Sequence, residues 1–175
     1  GNFQKGKWEI YDATVDAGLV DDLKITSKYT EYEFEGIKSF DSSSIYDDQF
    51  EIESLGDFSA TSKYTEFEIG ELTGHFKLAS YDDEVDVRKV GDSFSGLELS
   101  GKYTEVDLPI SSSMDYHLEV NMNYGEVDYA SDRFDTNVHI EKSSRLQIKG
   151  KTKGASATSA KIEIKEAHDC TIDLN

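Results

Sequence analysis

The sequence predicts an all-β protein, most simply a single-stranded parallel β-helix, also called a β-solenoid. Three observations predict it: short segments recur along the chain, apolar and polar residues alternate within them, and each segment bends at a corner of constant length. No comparably long apolar stripe of helical period interrupts this pattern, and only Pro109 breaks the strands. The crossover preference of parallel strands makes the predicted solenoid right-handed.

Two kinds of corner alternate along the chain. The first reads Lys-Tyr-Thr-Glu around Tyr29, Tyr64 and Tyr103, and the second reads Tyr-Asp or Tyr-Asp-Asp at Tyr11, Tyr46 and Tyr81. The tyrosines up to Tyr81 lie 17 or 18 residues apart. The repeat is therefore about 17 residues, or about 35 for a pair of unlike corners. One coil of 35 residues, with like corners stacked on like, is the simplest interpretation, and a coil of 17 stays open.

Within each unit the spacing is that of a β-strand. Leu23 and Ile25 alternate with polar residues, and the alternation resumes at Tyr32, five residues after Ser27. The same step recurs from Ser62 to Phe67, from Ser80 to Val85 and from Gly101 to Val106. Small residues before the corner avoid a collision with the same position of the next coil. The alternative is an antiparallel β-meander of repeated hairpins, but Lys-Tyr-Thr-Glu lacks the Gly or Asn that such loops usually need.

The chain of 175 residues is expected to form one repeat domain. Residues 1–19 are predicted to hold an N-terminal cap and the first repeat, and residues 20–130 the regular repeats. Residues 131–175 keep a weaker alternation and are predicted to hold divergent repeats and a C-terminal cap. Caps are expected because the end of a solenoid exposes unpaired strand edges.

Composition excludes several classes of partner. The chain has 36 acidic and 18 basic residues, and a formal charge of −18 repels the phosphates of nucleic acids. No apolar run reaches the roughly 18 residues of a membrane span, so none is predicted. Aromatic residues make up 11 % of the chain, which argues against a disordered acidic polypeptide. Because the chain begins at Gly1 without an initiator Met, we expect a processed product from which any signal peptide has been removed.

The repeated units resemble a family of exported bacterial proteins. They read Ser-x-Tyr-(Gly, Thr or Asp)-(Glu or Asp)-apolar-acid-apolar at 27–34 and 62–69, with variants at 101–108 and 123–129. This pattern is similar to that of the adhesin-like repeat proteins of Bacteroidetes and other bacteria, and it covers roughly residues 8–130. The resemblance implies a β-helix located in the periplasm or at the cell surface, and it brings no catalytic residues. The corners here depart from the commoner Tyr-Gly-Asp of that family.

The corner tyrosines are the candidate surface for a ligand or partner. They are Tyr11, Tyr29, Tyr46, Tyr64, Tyr81 and Tyr103. Stacked tyrosines at successive corners could hold a sugar ring or a partner surface, or could stabilise the strand register by packing on one another. Both interpretations can hold together.

Outward carboxylates after the corners are the candidate cation ligands. In-register parallel strands would bring them to about 4.8 Å from one another, where they repel, and Ca²⁺ accepts six to eight oxygen ligands of flexible geometry. The candidates are Asp47, Asp48, Asp82, Asp83, Glu31, Glu66 and Glu105. The alternative is a solvated acidic face that binds no metal. No other cofactor is expected.

No enzymatic motif is present in the sequence: it has no Gly-rich phosphate loop, no nucleophile elbow and no Cys/His zinc set. We therefore expect a non-catalytic structural or adhesive module that presents an acidic, tyrosine-lined surface to a cell-surface or polysaccharide ligand. One alternative is a carbohydrate-binding or polysaccharide-processing β-helix, and another is a cation-dependent assembly element. Residues 142–175 hold 7 basic and 4 acidic residues, so this basic end could also dock head-to-tail on an acidic neighbour.

Overall fold

The computed structural model describes residues 3–175, so Gly1 and Asn2 of the predicted N-terminal cap lie outside it. Among the described residues the only helical element is a 3₁₀ turn at Ser131–Arg133. The strands are β1 (Phe3–Tyr46), β2 (Gln49–Lys63), β3 (Glu66–Leu72), β4 (His75–Tyr81), β5 (Glu84–Val87), β6 (Gly96–Lys102), β7 (Glu105–Asp107), β8 (Tyr116–Asn123), β9 (Glu126–Asp128), β10 (Phe134–Lys142), β11 (Arg145–Thr152), β12 (Ala160–His168) and β13 (Thr171–Asp173). The prediction of an all-β protein is confirmed.

All 13 strands belong to one curled, mixed sheet. Between residues 31 and 107 the repeated segments pair in parallel and in register, so that Phe50 lies beside Phe67, and Phe67 beside Val85. The parallel alignment of neighbouring copies is therefore confirmed for this part of the chain. The alternative meander of hairpins is wrong here, because each copy runs in the same direction as its neighbour.

The step from one copy to the next is 17 or 18 residues, so the coil of 35 residues is wrong. Tyr32 pairs with Phe50, 18 residues on, and Phe50 pairs with Phe67, 17 residues on. Unlike corners consequently lie side by side. The reason is visible in the buried corner aspartates: stacking like on like would place Asp48 directly beside Asp83, whereas the observed order places Thr65 between them.

The corners bend at a single residue in the left-handed region. Their φ angles lie between 51° and 58° at Asp12, Tyr29, Asp47, Tyr64, Asp82, Tyr103, Tyr124 and Asp169. Aspartate tolerates this conformation well, but tyrosine does so at a cost of about 1–2 kcal/mol. The positive φ that hairpin loops normally assign to Gly or Asn is thus supplied here by Tyr and Asp.

The C-terminal part of the sheet does not follow chain order. Strand β12 lies between β6 and β8, and β13 lies between β7 and β9, all in parallel. Strand β11 pairs antiparallel with β8, and β10 pairs antiparallel with β11 at the outer edge. The predicted sheet of parallel strands alone is therefore wrong beyond β9. Alternation places a side chain inside or outside, but it carries no information on strand direction.

Two columns of aromatic rings form the centre of the core. Phe58 stacks on Phe40 at 4.8 Å and on Phe76 at 4.4 Å between ring centroids. Phe50 stacks on Tyr32 at 4.5 Å and on Phe67 at 5.2 Å. Rings of the two columns meet edge to face, as Phe58 and Phe67 do at 5.3 Å. The in-register repeat thus places like rings above one another in neighbouring coils.

Replacing Tyr116 by Phe is expected to raise the free energy of unfolding by about 1 kcal/mol. Tyr116 is fully buried, its hydroxyl has no hydrogen-bond partner, and burial raises the pKa of the phenol to about 12. Phenylalanine keeps the ring and removes a buried donor that costs about 1–3 kcal/mol when it is unpaired. Urea denaturation followed by circular dichroism measures the change. Tyr64→Phe is the exposed control, and a clear loss of stability in Tyr116→Phe would show that the hydroxyl is bonded.

Candidate functional site

The tyrosine corners are held in place by buried aspartates. The carboxylate of Asp48 accepts a hydrogen bond from the Ser27 hydroxyl and another from the Thr30 backbone amide at 2.7 Å. The carboxylate of Asp83 accepts the same pair one repeat later. In that second seat the Ser62 hydroxyl lies at 2.5 Å and the Thr65 amide at 2.9 Å. Each Tyr-Asp-Asp corner is therefore fastened to the Lys-Tyr-Thr-Glu corner before it.

Burial controls the ionisation of these carboxyls. It raises the pKa of Asp83 to about 6 and raises the pKa of Asp48, against the lowering effect of the Ser hydroxyl and Thr amide donors. The small residues predicted before the corners, Ser27 and Ser62, thus serve as hydrogen-bond donors as well as avoiding collisions. Asp48 and Asp83 were candidate cation ligands, but their oxygens point into the corner and already accept protein hydrogen bonds.

A continuous row of rings runs along the corners, and we call it the tyrosine ladder. It consists of Tyr29, Tyr46, Tyr64, Tyr81, Tyr103, His168 and Tyr124. The four tyrosine pairs from Tyr29 to Tyr103 meet nearly perpendicular, with centroids 5.4–5.8 Å apart. This edge-to-face geometry is favourable for aromatic rings. The ladder is also exposed, since Tyr29 and Tyr124 keep 55 % and 59 % of their surface in solvent.

An open groove of about 730 Å³ lies beside the ladder, and we call it the corner groove. Its aromatic wall is formed by Tyr29, Tyr64 and Tyr103. Its carboxyl side chains are Glu31, Asp47, Asp48, Glu66, Asp82, Asp83, Glu84 and Glu105. The structure therefore brings together three of the six predicted tyrosines and all seven predicted cation ligands. Tyr46 and Tyr81 belong to the ladder but not to the groove lining, and Tyr11 is exposed outside both.

The negative charge is concentrated on the strands that follow the corners, which we call the acidic face. One outward row there pairs in register through Glu33, Glu51, Glu68, Asp86, Asp107, Asp173 and Asp128. Burial, followed by the charges of Asp173, Asp86 and Glu105, raises the pKa of Asp107. The prediction that each outward carboxylate has a twin in the next coil is confirmed for this row.

The strands that precede the corners carry both charges on their outer side. Lys24 pairs with Asp41 at 3.0 Å, Lys77 with Glu98 at 2.9 Å, and Lys149 with Glu119 at 3.1 Å. Exposed pairs of this kind contribute little stability, but they cancel the local field. The two faces meet at the corners, so the groove lies on the border of an uncompensated negative surface.

The geometry offers no built metal centre among residues 3–175. No group of three or more His, Cys, Asp or Glu side chains there is arranged to hold a metal ion. Calcium bridging by the outward ligands Glu31, Glu66 and Glu105 stays a prediction.

Sequence reasoning missed the last rungs of the ladder. His168 lies between Tyr103 and Tyr124, at 6.2 Å and 5.3 Å between ring centroids, because β12 and β13 enter between earlier strands. A signal was available: His168-Asp169-Cys170-Thr171-Ile172-Asp173 follows the pattern of Tyr81-Asp82-Asp83-Glu84-Val85-Asp86. Asp169 shares the left-handed conformation of Asp82, and Cys170 occupies the buried corner position of Asp83.

Within residues 3–175 no helix is both long and apolar enough to cross a bilayer. Comparison of the chain with protein-family models, with curated proteins and with solved structures finds no match.

Proposed function

We propose that this chain is a non-catalytic adhesive module that binds a partner polymer along its tyrosine ladder and corner groove. The observation that carries the proposal is the exposed ladder itself. Four tyrosines are held at a left-handed φ, a strained conformation that presents their rings to solvent. A purely structural corner would be met at lower cost by Asp, as at Asp47 and Asp82, or by Gly.

The scaffold in this proposal is a right-handed β-solenoid with coils of 17–18 residues. Support comes from the parallel, in-register pairing with a constant offset and from the repeated corners. A solenoid suits adhesion because it presents one recognition element many times along a rigid axis, and several weak contacts then add up to avidity. The resemblance of residues 8–130 to exported adhesin-like repeats supports a location in the periplasm or at the cell surface.

Surface plasmon resonance on three immobilised polymers tests the proposal: neutral dextran, poly-L-lysine and poly-L-glutamate, each in 150 mM NaCl. We expect binding to at least one of them, and at least tenfold weaker binding by the variant Tyr64→Asn/Tyr103→Asn. Asparagine tolerates the left-handed conformation, so the backbone is kept while two groove rings are removed.

The matched control is Val138→Ser/Ile140→Ser, which removes two exposed apolar side chains from β10, far from the ladder in sheet order. It should bind as the wild type does. Failure of the wild type to bind all three polymers, or equal binding by the tyrosine variant, would overturn the proposal. Circular dichroism of each variant confirms that a loss of binding is not a loss of fold.

A further inference from the structure

We propose that the occupant of the corner groove is an extended cationic polypeptide segment rich in lysine or arginine. This inference rests on the proposed function and narrows it from an unspecified polymer to one chemical class. It follows from the charge of the groove, from contacts that the chain makes with its own lysines, and from the shape of the groove.

The charge of the groove selects a cation. As far as residues 3–175 are described, its lining holds eight carboxyl side chains and no Lys, Arg or His. Asp48 and Asp83 already accept hydrogen bonds from within the protein, which leaves six outward carboxylates to face an occupant. An anionic polymer would be repelled along the whole groove, and a neutral polysaccharide would leave these charges uncompensated.

The ladder already attracts ammonium groups from within the chain. The Lys28 ammonium lies 5.5 Å from the centroid of the Tyr46 ring, and the Lys63 ammonium lies 5.9 Å from that of Tyr81. Both distances are typical of a cation–π contact. The same kind of ring is presented to the groove by Tyr29, Tyr64 and Tyr103, with carboxylates beside it in place of lysines. A Lys or Arg side chain of a partner could therefore contact ring and carboxylate together.

The shape of the groove favours a chain over a small cation. Its aromatic wall runs from Tyr29 to Tyr103, across five successive corners. At a strand spacing of about 4.8 Å this is roughly 19 Å, the length of about six extended residues. The groove is open along this length, and a polypeptide can follow it without a closed pocket.

Fluorescence anisotropy with labelled octalysine, octaglutamate and uncharged octaserine tests the inference in 150 mM NaCl. We expect octalysine to bind and the other two peptides not to bind. The groove variant Glu84→Gln/Glu105→Gln should weaken octalysine at least fivefold, and Tyr64→Asn/Tyr103→Asn at least tenfold although it leaves every charge in place. Both glutamates are exposed among like charges, so their neutralisation should not disturb the fold.

The control variant Asp135→Asn/Glu141→Gln removes two exposed charges from β10, outside the groove. It should change the affinity for octalysine less than twofold. Equal losses in the groove and control variants would overturn the inference, since they would show attraction to the overall charge of −18 alone. Tyrosine-dependent binding to dextran without binding to octalysine would overturn the inference and leave the proposed function standing. Binding to no polymer and no peptide would overturn both.

Discussion

Phe58→Ala is expected to lower the free energy of unfolding by about 3–5 kcal/mol, the usual cost of removing a buried phenylalanine ring. Phe58 lies at the centre of the aromatic core, where it stacks on Phe40 and Phe76 and meets Phe67 edge to face. The substitution leaves a cavity between three coils at once. Each coil depends on its neighbours for burial, so the loss should spread along the stack.

Urea denaturation monitored by far-ultraviolet circular dichroism measures this effect. Phe58→Leu should cost clearly less, because it fills most of the volume and loses chiefly the ring contacts. Val138→Ala, at a half-exposed position of the edge strand β10, should change stability by no more than about 0.5 kcal/mol. A loss below about 1 kcal/mol in Phe58→Ala would contradict the stacked core described above.

The second large effect is a loss of stability as the pH rises through the range in which Asp83 ionises. Burial raises the pKa of Asp83 to about 6 in the folded protein, against 3.8 for the unperturbed group. The folded state therefore holds this proton more tightly than the unfolded state does. Stability from this group is fully present below about pH 4 and is lost as the pH rises towards 6. The loss amounts to about 3 kcal/mol, since one pKa unit corresponds to about 1.4 kcal/mol.

Asp48 and Asp107 act in the same direction because the pKa of each is raised, whereas the lowered pKa of Glu98 acts weakly against them. The contribution of Asp83 is isolated by comparing the wild type with Asp83→Asn, which cannot ionise. Urea midpoints at half-unit steps from pH 4 to pH 7 should show the stability difference between the two proteins shifting by about 3 kcal/mol in favour of the variant. Parallel pH profiles for the two proteins would contradict this assignment.

Much of the site could be predicted from local pattern. The tyrosine corners, the outward carboxylates and the small residues before each corner all follow from spacing, because a strand period of two fixes which side chains share a face. Burial of the second aspartate in Tyr46-Asp47-Asp48 was not predicted. Its position relative to Ser27 and Thr30 depends on the offset between coils, which two alternating corner types leave ambiguous.

The pattern also failed where the chain leaves its own order. His168 and Cys170 carry a recognisable corner, but nothing in their neighbourhood indicates that they lie between Tyr103 and Tyr124. The insertion is favourable because Ile162 and Ile164 are buried between β6 and β8, a contact between residues far apart in the chain. Local alternation cannot specify such a partner.

The amino-acid sequence by itself determined that this protein is all-β, where it bends, and which side chains face solvent. These properties depend on residues close together in the chain, whose backbone geometry and polarity act over a few positions. Only the tertiary structure decided the offset of 17–18 residues, the entry of β12 and β13 between earlier strands, and the joining of three tyrosines with eight carboxyls in one groove. Those outcomes depend on which distant strands pair, and pairing is decided by the burial and hydrogen bonding that the whole sheet achieves together.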